Sequence, residues 1–129
     1  MPHYLVTGAS SGIGAALATA LLRRGDKITA MARRKDKLAA LDDSSGNFHG
    51  SACDVTDAAA LATAIEDAVD KQGPVDRAIL NAGMYVPQDS LKIDPAVYAR
   101  HMDVNYMGVV NALPPCLLYT SPSPRDWTI

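Results

Sequence analysis

Short apolar runs alternate along this chain with longer stretches in which apolar residues recur every three or four positions. The short runs predict buried strands and the longer ones amphipathic helices. Tyr4 to Val6 predicts a first strand. Ile13, Leu17 and Leu21 recur at every fourth position among alanines, and they predict a helix that stops at Gly25. Lys27 to Ala32 predicts a second strand, Lys35 to Leu41 a short helix ending in the loop DDSSGN, and Phe48 to Cys53 a third strand. Thr56 is the expected N-cap of a helix that carries Leu61, Ile65 and Val69 and is closed by Gly73 and Pro74. Ala78 to Leu80 predicts a fourth strand, and Pro95 opens a helix to about Ala112.

Strands separated by helices imply parallel pairing through right-handed crossovers. The expected fold is therefore α/β, a doubly wound parallel sheet of Rossmann-like type with strand order 3-2-1-4. Ligands of such sheets bind in the crevice at the carboxyl ends of the strands, where the order reverses. TGASSGIG follows strand one, MARR stands at the end of strand two and NAG follows strand four, so all three reach that crevice. Beyond Ala112 the pattern changes. Pro114, Pro115, Pro122 and Pro124 interrupt it, and LLYTSPSPRDWTI has neither helical nor strand period. The expected organisation is an incomplete dinucleotide-binding domain over residues 1–116, short of a fifth strand. The tail, 117–129, resembles a translated sequencing adapter more than protein sequence.

Composition changes this picture little. The net charge of −2 and the absence of any long run of like charge argue against nucleic acid and against a polybasic membrane contact. No basic segment precedes an apolar one at the N-terminus, and no apolar run is long enough to span a bilayer, so a cytoplasmic protein is the expectation. Cys53 and Cys116 form no pattern and read as buried or idle thiols. His3, His49 and His101 lack ligand spacing, so no metal site is expected.

The glycine stretch carries the chemistry. Gly8 permits a sharp turn out of the strand, while Gly12 and Gly14 let a pyrophosphate and the neighbouring strand approach the helix start. A helix N-terminus presents unpaired N–H donors and roughly half a positive charge, so it holds an anion without a lysine. Ser10 and Ser11 can add hydroxyl donors.

TGASSGIG has the spacing TGxxxGxG and resembles the glycine motif of the short-chain dehydrogenase/reductase family. Asp54-Val55, Asn81-Ala82-Gly83 and Val104-Asn105-Tyr106-Met107-Gly108 follow in the family's order. The resemblance implies that Gly8, Ser10, Ser11, Gly12, Ile13 and Gly14 surround the pyrophosphate and ribose. It implies that Asp54 accepts from the adenine amino group beside Val55, and that Asn81, Ala82 and Gly83 turn over the ribose. Asn105 is implied as a member of the catalytic set, its backbone helping to hold the water that feeds the catalytic lysine. Met84, Tyr85 and Pro87 lie where the family admits substrate, a small-molecule carbonyl or alcohol, and family members are expected to be homo-oligomers.

Cofactor choice turns on the end of strand two. An NAD site of this type places a carboxylate there, about 20 residues past the glycine turn. No Asp or Glu lies between Lys27 and Lys35, whereas Arg33 and Arg34 can pair with a 2′-phosphate. NADP is therefore favoured over NAD. The family's catalytic tyrosine precedes a lysine by four positions, but here the five tyrosines precede Gly8, Asp89, Met102, Val110 and Ser123. An NADP-dependent oxidoreductase represented by its cofactor-binding portion, itself inactive, is the leading expectation. A non-catalytic dinucleotide-binding module and a non-functional fragment are the alternatives.

Overall fold

A computed structural model of the chain describes residues 1–119. Strands β1 (His3–Thr7), β2 (Lys27–Ala32), β3 (Phe48–Ala52) and β4 (Arg77–Leu80) form one sheet in the order β3-β2-β1-β4. Each pairing is parallel, as the alternation of strands and helices predicts. Helices α1 (Gly12–Arg24), α2 (Lys35–Ala39) and α3 (Ala58–Gln72) lie between the strands. After β4 the chain forms α4 (Pro95–Met102), a π-helical turn (Asp103–Met107), α5 (Gly108–Val110) and α6 (Leu113–Tyr119).

The strands' period of two divides the core between the sheet's two faces. Tyr4, Val6, Ile28 and Ala30 pack with Leu21, Leu22 and Leu38 of α1 and α2. Leu5 and Met31 pack on the other side with Leu61 and Ile65 of α3 and with Ala112 and Cys116 near α6. All five residues of β1 are consequently buried, as expected of a central parallel strand covered on both faces. Cys53 and Cys116 are free and buried in the second cluster, and burial pushes the Cys116 thiol up to about 11.

Two expectations require correction. The N-cap of α3 is Asp57, whose Oδ1 accepts from the Ala60 amide at 3.1 Å; Thr56 is instead engaged by Asp54. Regular structure also continues past Ala112, because Leu113–Tyr119 is helical. Pro114 and Pro115 fall in the first turn of α6, where no intrahelical N–H bond is required of them. Residues 120–129, most of the expected tail, lie outside the described residues. Among the described residues no helix is long and apolar enough to cross a membrane.

At the amino end of the sheet, the buried His3 ring joins three elements. Its Nδ1 lies 2.9 Å from the Gly73 carbonyl and its Nε2 lies 2.7 Å from Thr29 Oγ1. A carbonyl can only accept, so Nδ1 carries the proton and the Thr29 hydroxyl donates to Nε2. Burial is the main cause that holds His3 below the ordinary imidazole range, partly offset by hydrogen bonding to Gly73 and Pro74 and by Asp76. The unfolded chain then takes up this proton first as pH falls, so stability is present above about pH 6.5 and is lost below it. The urea midpoint is expected to drop between about pH 7.5 and about pH 5.5, with a shallower drop in His3→Gln. A midpoint flat across that range would show that the ring is not buried neutral.

Candidate nucleotide-binding site

Strand register assembles the site. Thr7 stands level with Met31 and Leu80, and Ala32 stands level with Ala52. The residues that follow therefore leave the sheet along one edge: Gly8 from β1, Arg33 from β2, Cys53 and Asp54 from β3, and Asn81 from β4. Thr7 ties two of these exits together, because its Oγ1 accepts from the Ala82 amide at 3.0 Å.

The turn from β1 into α1 is built around close backbone contacts. Gly8 has φ +65°, and a Cβ there would lie 2.8 Å from Ala82 Cα. Gly14 is tighter still, since a Cβ would meet the Gly8 carbonyl oxygen at 2.2 Å and Asn81 Nδ2 at 2.8 Å. Asn81 Nδ2 itself donates to that carbonyl at 3.4 Å. The first turn of α1 also differs from those of α3 and α4. Aspartates cap the latter two, whereas Ser11 makes no side-chain cap bond; none of the three first turns carries an acid. The leading N–H groups of α1 thus keep both their positive end and their unmet donors for an anion.

A cavity of about 480 Å³ opens above this turn. The glycine turn contributes Gly8, Ser10 and Ser11; the β2 and β3 ends contribute Arg33, Asp54 and Val55; the β4 end contributes Asn81, Ala82 and Gly83. Nine of the residues expected at the cofactor therefore share one cavity. Gly12, Ile13 and Gly14 lie in the first turn of α1 without lining it, and Ile13 is 77% exposed. Met31, Cys53, Thr56, Met84, Arg100, Asp103 and Val104 also line it and were not assigned to the cofactor from sequence. Their approach comes from strand register and from the packing of α4, neither of which leaves a local motif.

Asp54 serves the turn as well as the cavity. Its Oδ1 accepts from the Thr56 amide at 2.9 Å and from the Thr56 hydroxyl at 2.8 Å. The amide bond to Thr56 is the main cause that holds the Asp54 carboxyl below its ordinary range, with the Arg33 charge assisting. The carboxylate therefore remains ionised at neutral pH. Arg33 is exposed at the cavity wall, within electrostatic reach of that carboxylate.

The helical stretch from α4 to α5 clamps both walls. Asn105, in the π-helical turn, accepts from the Met84 amide at 2.7 Å and donates to the Met84 carbonyl at 2.8 Å. Asn111 donates to the Val55 carbonyl at 3.0 Å. π-Helical turns frequently mark functional sites because they change the phase of a helix locally. Asn105 does not itself line the cavity but fixes Met84, which does. This side-chain role would serve a binding module as well as an enzyme, so Asn105 does not separate those readings. Among the described residues no group of three His, Cys, Asp or Glu could hold a metal ion.

A sequence model of the family described as short chain dehydrogenase matches residues 2–119. This chain belongs to that family. A 3-dehydrosphinganine reductase of Arabidopsis thaliana is 34% identical over 86% of this chain and 34% of its own length. Among solved structures, an alcohol dehydrogenase from the archaeon Thermococcus sibiricus, complexed with 5-hydroxy-NADP, is similar at a TM-score of 0.85 and 27% identity. That match covers 92% of this chain and 53% of the other. A 3-ketoacyl-(acyl-carrier-protein) reductase from Brucella melitensis, complexed with NADH, gives a TM-score of 0.84 at 28% identity, covering 92% of this chain and 50% of the other. This short-chain dehydrogenase chain thus spans about half or less of the length of the relatives it matches. Members of the family are oxidoreductases that bind NAD or NADP.

Proposed function

We propose that this chain is the cofactor-holding portion of an NADP(H)-dependent short-chain oxidoreductase acting on a small carbonyl or alcohol. The single observation that carries the NADP assignment is Arg33, an exposed cation lining the same cavity as the glycine turn, on a β2 end that has no carboxylate from Lys27 to Lys35. The crowded contacts at Gly8 and Gly14 and the uncapped, acid-free start of α1 fit a pyrophosphate. When bound, the nicotinamide supplies the hydride or takes it up. The chain's own part is to bind and orient: the first turn of α1 holds the phosphates, Arg33 a 2′-phosphate, Asp54 and Val55 the adenine, and Asn81 to Gly83 the ribose. Asn105 positions the loop beyond them by holding Met84. Exposed Tyr98, Met102 and Tyr106 near α4 favour self-association in the whole protein.

The test is Arg33→Ala, titrated with NADPH and with NADH. Loss of one charge-assisted contact costs about 1.5–3 kcal/mol, so NADPH affinity is expected to fall roughly 10- to 100-fold while NADH affinity changes little. Equal weakening of both nucleotides would remove Arg33 from the 2′-phosphate site and the NADP assignment with it.

A further inference from the structure

The loop after β4 is tied to the following helical stretch at two points. The inner point is the pair of Asn105 bonds to Met84. At the outer point the Val86 amide donates to His101 Nε2 at 2.9 Å. His101 Nδ1 lies 2.7 Å from the Val97 carbonyl, one turn back in α4. An amide N–H can only donate and a carbonyl can only accept, so both contacts require one form of the ring: neutral, with the proton on Nδ1. The half-buried ring stands between Tyr85 of the loop, edge-on at 6.3 Å, and Tyr98 of α4 at 6.5 Å.

We propose that His101 is a positioning residue that latches this loop in a proton-dependent way. As the neutral Nδ1–H imidazole it holds Val86 against α4. Uptake of a proton at Nε2 sets N–H against N–H and frees the loop from Val86 outward. Asn105 has no titratable group, so Met84 stays fixed at the cavity wall. With Nε2 protonated the ring can only donate there, so no backbone N–H of the loop can remake the bond. Farther out, Leu91 donates to Asp89 and Asp94 to Gln88, bonds that lie within the loop and at its junction with α4. The titratable side chains whose rings lie against it are Tyr85 and Tyr98, and Arg100 and Asp103 flank it along the helical stretch.

The latch is a property of the chain alone, whereas its bearing on cofactor or substrate entry rests on the function proposed above. It is therefore tested without nucleotide, by NMR on the ¹⁵N-labelled 129-residue chain from about pH 8 to about pH 5.5, across the usual histidine range. The ring nitrogen shifts of His101 are expected to report the Nδ1–H tautomer at high pH. The exchange protection of the Val86 amide, corrected for its intrinsic rate, is expected to fall roughly 2- to 10-fold along the His101 titration, while that of Met84 holds. His101→Gln retains an acceptor without a charge change and is expected to keep Val86 protected at every pH. An Nε2–H tautomer at high pH, or Val86 protection that ignores the ring's titration, would overturn the latch. Both readouts come from the unsubstituted chain and decide the matter even where the glutamine variant does not fold. A failure of NADPH to bind would overturn the cofactor reading and leave the latch to be judged on Val86.

Discussion

Gly14→Ala is expected to lose nucleotide binding and much of its stability together. The added Cβ would lie 2.2 Å from the Gly8 carbonyl oxygen and 2.9 Å from its carbon. Both are backbone atoms of a turn already fixed against Ala82, so neither can yield as the end of a flexible side chain can. Overpacking of this kind costs about 1–3 kcal/mol and occasionally more. Relief requires the start of α1 to move away from the Gly8 turn, which also displaces the N–H groups of its first turn. Gly12→Ala supplies the contrast. A Cβ at Gly12 meets nothing within 4 Å, although its φ of +59° adds about 1–2 kcal/mol of backbone strain. The Gly12 variant is expected to retain the packing of α1 on β1 and β2. Urea denaturation and NADPH titration of both variants check this. A Gly14→Ala chain with the native midpoint and native affinity would mean that the turn is looser than its contacts imply.

That contrast also shows how much the sequence could reveal. The spacing of Gly8, Gly12 and Gly14 identifies a phosphate-holding turn, but it does not say which glycine faces open space and which abuts a neighbouring strand. The β4 end, about 70 residues later in the chain, decides it for Gly8, whose Cβ position meets Ala82 and Asn81, whereas Gly14 abuts the Gly8 carbonyl itself. Strands β1, β2 and β4 were legible because each carries a short apolar run between clear breaks, whereas β3, FHGSA, is mostly polar or small and only partly buried. The cap of α3 was not legible, since Thr56 and Asp57 are both capping residue types. The Thr56 hydroxyl is held by Asp54, leaving Asp57 to accept from Ala60. The prolines of α6 read as breakers because that rule applies to helix interiors, and these two occupy a first turn.

The clamps were hidden for a different reason. Asn105 and Met84 are 21 residues apart, and Asn111 and Val55 are 56 apart. No local periodicity encodes such a contact. The family resemblance singled out Asn105 for its backbone, whereas the structure assigns work to its side chain as well. With Asn111 on Val55 and Asn105 on Met84, one helical stretch sets the distance between the Val55 side of the cavity and its β4 wall. Substrate selection by the whole protein would build on a crevice held in this way.

The 129-residue chain is expected to show no measurable carbonyl reduction or alcohol oxidation, even where it binds NADPH. None of its five tyrosines precedes a lysine by four residues. A positioned general acid contributes about 100- to 10,000-fold, and no lysine stands four residues after any tyrosine to tune one. Asn105 cannot take the acid's place, because an amide does not give up a proton at neutral pH and its side chain is committed to Met84. The measurement is NADPH consumption, followed by nicotinamide absorbance across ketones, aldehydes and quinones, against a blank without protein. Saturable consumption that Gly12→Trp abolishes would place competent acid chemistry within these residues and remove the ground for calling this chain a cofactor-holding portion.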